Sequence, residues 1–297
     1  MRSALSRWVL AGAMLLPALA LLAVFHYLPA AIGLSRAFTR WETGEAPVFA
    51  GLANFQAMAS DEFLRIGIGN QLVLLALNLA KTLSVPLLAA ELLMGVRSPR
   101  LQHLLRTAFL LPMVVPGMVT MLLWAFLYDG SVGLVNQALQ AAGFGSLTRS
   151  WLGESDTALL AVAGVGFPWA GGLALLVYLA GLAAIPSEVR DCCELDGATG
   201  LRRVVHVDLP LLRPQVWLLA TLTLIGTLQD FGSLLILTAG GPGLATHVPA
   251  LHMYFQAFRF GHLGYAAAIG LSLFLVIFVL SLAAHRVRRR LEGGAAS

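Results

Sequence analysis

Long apolar runs separated by short, arginine-bearing polar segments make up most of this chain. A helix that crosses a hydrocarbon layer of about 30 Å needs roughly 20 mostly apolar residues at ~1.5 Å rise each. Six runs meet that requirement: residues 8–34, 66–94, 104–127, 158–182, 216–237 and 265–284. The pattern predicts an all-α polytopic membrane protein with six transmembrane helices. The first run follows Arg2 and Arg7, and Ala18-Leu19-Ala20 is similar to a signal-peptide cleavage site. Its apolar character nevertheless continues through Phe25, Tyr27, Leu28 and Ile32, past the length of a usual signal core, so it reads as a span.

Several runs carry proline and glycine, at Leu111-Pro112, Val115-Pro116-Gly117, Phe167-Pro168 and Gly171-Gly172. Membrane helices tolerate such breaks when neighbours satisfy the freed backbone groups. Two readings follow: close helix packing through small residues, or bent helices that line a pathway and move.

Composition agrees with the pattern. The chain has 297 residues, of which 58% are hydrophobic and 11% charged, and its mean hydropathy is +0.81. A soluble domain carries about 25% charged residues, so a soluble enzyme is excluded. The net charge of +4 does not describe a nucleic-acid-binding face, because Lys81 is the one lysine and the arginines sit between the apolar runs. Their placement fixes an expected orientation, since positively charged loops stay cytoplasmic. With the N-terminus inside, the cytoplasmic segments hold Arg2, Arg7, Arg97, Arg100, Arg106, Arg190, Arg202, Arg203, Arg213, Arg286, Arg288, Arg289 and Arg290. The opposite side holds Arg36, Arg40, Arg65, Arg149 and Arg259. Both termini are therefore expected in the cytoplasm.

Chemistry within the chain is sparse, and nothing in it calls for a metal ion or a cofactor. Cys192 and Cys193 are adjacent, which does not suit disulfide geometry, and read as reduced thiols. Lys81-Thr82 could close a phosphate-binding loop, but Leu75 and Ala80 stand where that loop requires glycine. Gly240-Gly241-Pro242-Gly243 reads as a turn. His247 and His252 miss the i, i+4 spacing of a helical metal site and read as loop histidines near a water interface. No GxSxG nucleophile elbow is present.

The longest polar cytoplasmic stretch, residues 185–214, reads as two short helices around a turn. Ser187 can cap the first helix, Gly197 can take the left-handed position that ends it, Thr199 can start the second, and Pro210 can close it. A rigid helix-turn-helix between spans suits docking to a partner.

This stretch resembles the permease subunits of binding-protein-dependent ABC importers. Their hallmark is EAA, two residues, DGA, then a spacing of nine residues after the glycine to an aliphatic-x-Leu-Pro. Here Asp191-Cys192-Cys193, Asp196-Gly197-Ala198 and Val207-Asp208-Leu209-Pro210 keep that spacing. Asp191 preserves the charge of the missing glutamate with a shorter side chain, Glu194 lies one turn along, and cysteine packs where alanine does. The likeness extends along most of the chain and is nearest to maltose-type sugar permeases. It is carried by Gly51-Leu52-Ala53-Asn54-Phe55, residues 106–116 and 124–136, Trp151-Leu152-Gly153, Ala180-Gly181-Leu182, Asp230-Phe231 and Leu237-Thr238-Ala239-Gly240-Gly241-Pro242.

The resemblance implies a MetI-like ABC permease fold in the cytoplasmic (inner) membrane. It implies a second permease subunit, two ATPase subunits that hydrolyse ATP, an extracytoplasmic solute-binding protein and a sugar-like substrate, with a polyol or glycerol phosphate as the alternative. On this reading residues 1–65 hold the first span and an outer loop, 66–286 the permease core, and 287–297 a basic cytoplasmic tail. The coupling loop would use Asp191, Cys192, Cys193, Glu194, Asp196, Gly197, Ala198, Val207, Leu209 and Pro210.

Polar groups inside spans are costly and so are functional candidates. Gln71, Asn78 and Thr82 share a helical stripe, with Lys81 one residue off it, and serve either helix-helix hydrogen bonding or a pathway. Asn78, Gln229, Asp230 and Phe231 are the expected pathway residues, supplying amides, a carboxylate and a ring for a sugar. Asp230 could instead pair with Lys81, or carry protons in a secondary transporter, a class the loop motif argues against.

Overall fold

The computed structural model describes residues 2–168 and 171–293, with side chains described from 12 to 287 apart from 169–170. Of the expected basic tail, 294–297 lie outside the described residues. The chain is mostly helical. Helix α1 (Arg2–Leu22) passes through a π segment (Ala23–Tyr27) into α2 (Leu28–Arg36). A two-residue antiparallel hairpin follows, β1 (Thr39–Arg40) with β2 (Val48–Phe49), pairing Thr39 with Phe49 and Arg40 with Val48. Next come α3 (Ala53–Ala59) and the 33-residue α4 (Glu62–Met94). Then α5 (Pro99–Leu110), a 3-10 turn (Leu111–Val114) and α6 (Gly117–Leu127) precede α7 (Leu134–Ala141), α8 (Ser155–Gly164) and α9 (Gly172–Ala183).

The loop helices are α10 (Ser187–Leu195), α11 (Gly200–Arg203), a π segment (Val204–Asp208) and α12 (Leu209–Leu211). Finally α13 (Arg213–Gln229), α14 (Gly232–Leu237), α15 (Pro249–Phe258) and α16 (Leu263–Gly293) complete the described chain.

Among the described residues three helices are long and apolar enough to cross a membrane alone, Gly12–Arg36, Glu62–Met94 and Leu263–Val287. Three more candidates are bent pairs, giving up to six spans. Their bends are 99° between Pro99–Val114 and Gly117–Leu127, 76° between Gly172–Ala183 and Ser187–Leu195, and 74° between Gly200–Leu211 and Arg213–Gln229. Three of the apolar runs are therefore not straight helices. Run 104–127 breaks at Val115-Pro116, where proline lacks the N–H a continuing helix needs. Run 158–182 opens between α8 and α9, with Gly166 and Gly171 at φ +82° and +87°, and run 216–237 opens at Asp230-Phe231.

The chain divides into two compact units. One comprises residues 1–61 and 252–274. In it Asn54 donates from Nδ2 to the Ala37 and Thr39 carbonyls, at 2.8 and 2.9 Å, which ties α3 to the hairpin. Gly264 donates its N–H to Trp41 O at 2.9 Å, and a Cβ there would collide with the Thr39 carbonyl oxygen. Asp61 Oδ2 accepts the Tyr265 hydroxyl at 2.6 Å and lies 2.9 Å from His252 Nε2.

The other unit comprises residues 62–251 and 275–297. Its core joins Leu87, Ala90 and Leu93 of α4 to Leu175, Tyr178 and Leu182 of α9 and to Leu212 and Leu219 at the start of α13. Gly181 lets α9 and α13 close up, since a Cβ there would meet Leu212 and Gln215. The buried Tyr178 hydroxyl donates to Leu83 O at 3.1 Å. On α7, Asn136 is buried with every hydrogen-bonding valence filled. It donates to Gly130 O and Arg149 O and accepts from Arg149 N–H and Trp151 Nε1–H, which accounts for the Asn136 and Trp151 motifs. At the same turn the Asp129 carboxyl accepts the Val132 N–H, the Ser131 hydroxyl and the Ser131 N–H, which hold it below the usual carboxylate range.

The histidines differ from their sequence reading. His247 and His252 are both buried, the latter on α15 against Asp61. The segment before α15 folds inward because Asn70 Nδ2 donates to the Leu244 and His247 carbonyls at 2.8 and 2.9 Å. The glycine-rich stretch ahead of it is a turn, with Gly240 and Gly243 at φ +89° and +57°.

Gly264→Ala should lower stability by about 1–3 kcal/mol, because backbone rather than a flexible side chain blocks the new Cβ. Gly69→Ala in α4 meets nothing within 4 Å and should be neutral or slightly stabilising. Thermal midpoints of the detergent-purified variants measure both; equal midpoints would contradict the collision at Gly264.

Candidate functional site

Two adjoining cavities lie where the helices break. The larger, about 850 Å³, is lined by Asn78, Thr82, Thr120, Trp124, Thr223 and Thr227 together with the 112–115 and 171–173 segments. That volume lies within the ~300–1,000 Å³ typical of small-molecule sites. The smaller, about 130 Å³, adds Asp230 and Ser233, and Asn78, Lys81, Met121, Val165 and Thr227 border both. Pro112, Gly166, Gly171 and Gly172 line the larger cavity, so its breaks form cavity wall, while Gly181 serves close packing.

The charged pair at the smaller cavity is held apart. Lys81 Nζ donates to Ala163 O at 2.5 Å and Val165 O at 3.0 Å, carbonyls released where α8 ends. Asp230 Oδ1 accepts the Ser233 N–H at 3.1 Å and so satisfies a first-turn donor of α14. The ion pairs among the described residues do not include Lys81 with Asp230. A mid-span carboxylate costs on the order of 2.5–3.5 kcal/mol on insertion scales, and facing a polar cavity reduces that cost.

Of the expected pathway residues, Asn78 and Asp230 meet at the cavities, with Asn78 Nδ2 donating to Thr227 Oγ1 at 3.4 Å. Gln229 is exposed and Phe231 half-buried, and neither lines these two cavities. Gln71 is buried and donates to Thr227 O at 3.0 Å, a helix-helix bond rather than a cavity contact. Thr120, Trp124, Thr223 and Thr227 did not stand out in the sequence. The available signal was spacing: Asn78/Thr82, Thr120/Trp124 and Thr223/Thr227 are each four residues apart, one face of a helix.

At residues 185–214 the first helix ends in a left-handed cap. Gly197 sits at φ +66°, its N–H bonds Glu194 O at 3.2 Å, and the Ala198 N–H bonds Cys193 O at 2.8 Å. Thr199 is the extended residue before α11. Two local expectations change. Pro186, not Ser187, occupies the N-cap, since its fixed φ presents the carbonyl that accepts the Val189 N–H. Pro210 does not close the second helix. The π segment ahead of it bonds the Leu209 N–H to Val204 O, a wider turn that accommodates the ring, and the helical run continues to Leu211.

Asp191, Cys192, Glu194, Asp196, Gly197 and Leu209 are exposed, Ala198, Val207 and Pro210 half-buried, and Cys193 buried. At the tip Leu195 and Leu201 are 88% and 72% exposed. Behind it Arg203 joins two buried carboxylates, Asp208 at 2.8 Å from Nε and Glu91 of α4 at 3.2 Å from Nη2. Arg190 Nη2 donates to Leu182 O at the end of α9.

Residues 87–293 match the family model described as "Binding-protein-dependent transport system inner membrane component". The chain is 31% identical over 269 residues to the probable ABC transporter permease protein YurN of Bacillus subtilis, covering 90% of this chain and 92% of the relative. It is 29% identical over 279 residues to the multiple sugar-binding transport system permease protein MsmF of Streptococcus mutans, covering 91% of each. A crystal structure of a bacterial ABC transporter involved in the import of alginate contains a chain of the same fold. That chain superposes with a TM-score of 0.84 at 24% identity, covering 97% of this chain and 98% of the other.

Asp230→Asn should leave detergent-stable complex yield near wild type, because the asparagine amide oxygen also accepts the Ser233 N–H, while lowering uptake. Adding Lys81→Met should restore nothing. Loss of assembly in Asp230→Asn that Lys81→Met rescues would reinstate a structural ion pair.

Proposed function

Because the chain belongs to the family of binding-protein-dependent transport system inner membrane components, we propose that it forms half of an ATP-driven pathway importing a sugar or related polyol. A second permease subunit would supply the other half, two cytoplasmic ATPase subunits the energy, and an extracytoplasmic solute-binding protein the substrate. The arginine distribution supports cytoplasmic termini and a cytoplasmic 185–214 loop.

One observation carries the reading: Leu195 and Leu201 are held in the open by a backbone-locked turn. Large apolar side chains presented to water on a rigid tip fit a partner's cleft. The ATPase subunits would grip this tip, with Asp191, Cys192, Glu194 and Asp196 at the rim. Nucleotide-driven closure of the ATPases would pull the loops of the two permeases together. The motion enters the membrane through α13, which begins at Arg213 and carries Thr223 and Thr227 to the cavity. Opening of the cavity to the outside admits the solute, and ATP hydrolysis by the partner chains resets the pathway.

The sugar assignment rests on the lining. Asn78, Thr82, Thr120, Thr223 and Thr227 replace water around hydroxyl groups, and Trp124 offers an aromatic face. Lys81 and Asp230 offset each other at the smaller cavity, which favours a solute without net charge. The sugar-related name of the Streptococcus mutans relative points the same way.

Leu195→Glu should leave membrane insertion and folding unchanged, because the side chain touches little of this chain. Recovery of the ATPase subunits in a pull-down should fall by about tenfold or more, the scale of losing one buried anchor. Gly197→Pro should do the same by forbidding the positive φ. Normal co-purification with normal uptake in both variants would contradict the docking role. A membrane-impermeant maleimide should label Cys192 only after permeabilisation, with Cys193 protected by burial. Labelling in intact cells would reverse the orientation.

A further inference from the structure

The coupling loop is covalently continuous with α9 and α13, whereas α4 reaches it only through side chains. Yet α4 supplies Asn78, Lys81 and Thr82 to the cavities and runs unbroken from Glu62 to Met94, unlike the bent pairs. We propose that Arg203 is a positioning residue that makes α4 move with the coupling loop, so that displacement of the loop reaches the cavity wall at Asn78 and Lys81. The inference rests on reading residues 185–214 as the ATPase-coupling loop.

Arg203 is built for the task. Its Nε bonds Asp208 within the loop, fixing the guanidinium plane, and its Nη2 then reaches Glu91, 112 residues away in sequence. Asp208 is buried in the π segment and its side chain is 3% exposed; that of Glu91 is 9% exposed. The planar fork holds both carboxylates in one geometry, which a flexible ammonium would not do. From Glu91 to Lys81 is ten residues, or about 15 Å along a helix that rises ~1.5 Å per residue.

A contact serving stability alone would be expected to look different. Apolar side chains of similar volume usually replace a buried ion pair without loss. The second Glu91 oxygen, Oε1, is buried without a hydrogen-bond partner, so this network is incompletely satisfied where an apolar contact would leave no such debt. What the pair provides and apolar packing does not is direction: a pull on Arg203 is delivered to one point on α4.

The test uses the complete transporter, permeases with ATPase subunits in liposomes and solute-binding protein outside, carrying Glu91→Ala, Glu91→Gln or Arg203→Met. Assembly yield, ATP hydrolysis and solute moved per ATP are measured together. Glu91→Ala leaves Arg203 paired with Asp208 and should assemble and hydrolyse ATP within about twofold of wild type, while solute per ATP falls about tenfold, a coupling loss of the usual size. Arg203→Met strands both carboxylates and should lower assembly yield as well. Glu91→Gln keeps an acceptor for Arg203 and should recover most of the lost transport. Equal solute per ATP in Glu91→Ala and wild type would overturn the proposal, whether or not the yield falls. A wild-type permease that fails to bind the ATPase subunits would overturn the coupling-loop reading and this inference with it.

Discussion

Inside a hydrocarbon layer no water is available to a backbone carbonyl or N–H released by a helix break, so the protein must provide the partner. Much of the polar chemistry in this chain answers that demand. Lys81 closes the carbonyls of Ala163 and Val165 at the break after α8, and Asp230 accepts the Ser233 N–H in the first turn of α14 at the next break. Gln71 holds the Thr227 carbonyl, and Asn70 holds those of Leu244 and His247. The bonds of Lys81, Asp230 and Gln71 lie at breaks in apolar runs, and bent spans leave the space that straight, tightly packed helices would fill.

That constraint ties the cavity to the backbone that surrounds it. Lys81 and Asp230 border the smaller cavity while each satisfies a broken helix, so the groups that face the cavity also hold its walls in place. At the 185–214 loop the same economy recurs: Arg190 bonds the Leu182 carbonyl at the end of α9, and Arg203 ties Asp208 to Glu91. The loop is thus fastened to three helices, α9 and α13 through the chain and α4 through charge. Leu195 and Leu201 remain outside this network, free for a partner.

Much of this was legible in the sequence, for identifiable reasons. The first span, α4 and α16 are long uniform apolar runs, and nothing local competes with the helix. The Gly197 turn was legible because a positive φ leaves few residue choices. Bends were not, because proline and glycine in a membrane helix are compatible with both a kink and close packing, and only the partner of the freed carbonyl decides. Lys81 is the clearest case: its sequence neighbours say nothing of Ala163 or Val165. His252 was misread as a surface loop residue because Asp61 and Tyr265, which bury it, are distant in the chain. Asn78 and Asp230, singled out as polar groups inside spans, line the cavities, whereas their companions there, Thr120, Trp124, Thr223 and Thr227, are individually ordinary and declare themselves only as faces.

The central claim is that this chain moves solute by mechanical coupling to ATP-hydrolysing partners. Uptake into cells or vesicles, measured with the proton gradient collapsed and separately with the partner ATPase inactivated by substitution of its catalytic base, tests it most directly. The account predicts uptake that survives loss of the proton gradient and stops with the inactive ATPase. Uptake that continues without ATP hydrolysis but stops when the proton gradient collapses would contradict it and make Asp230 a proton carrier.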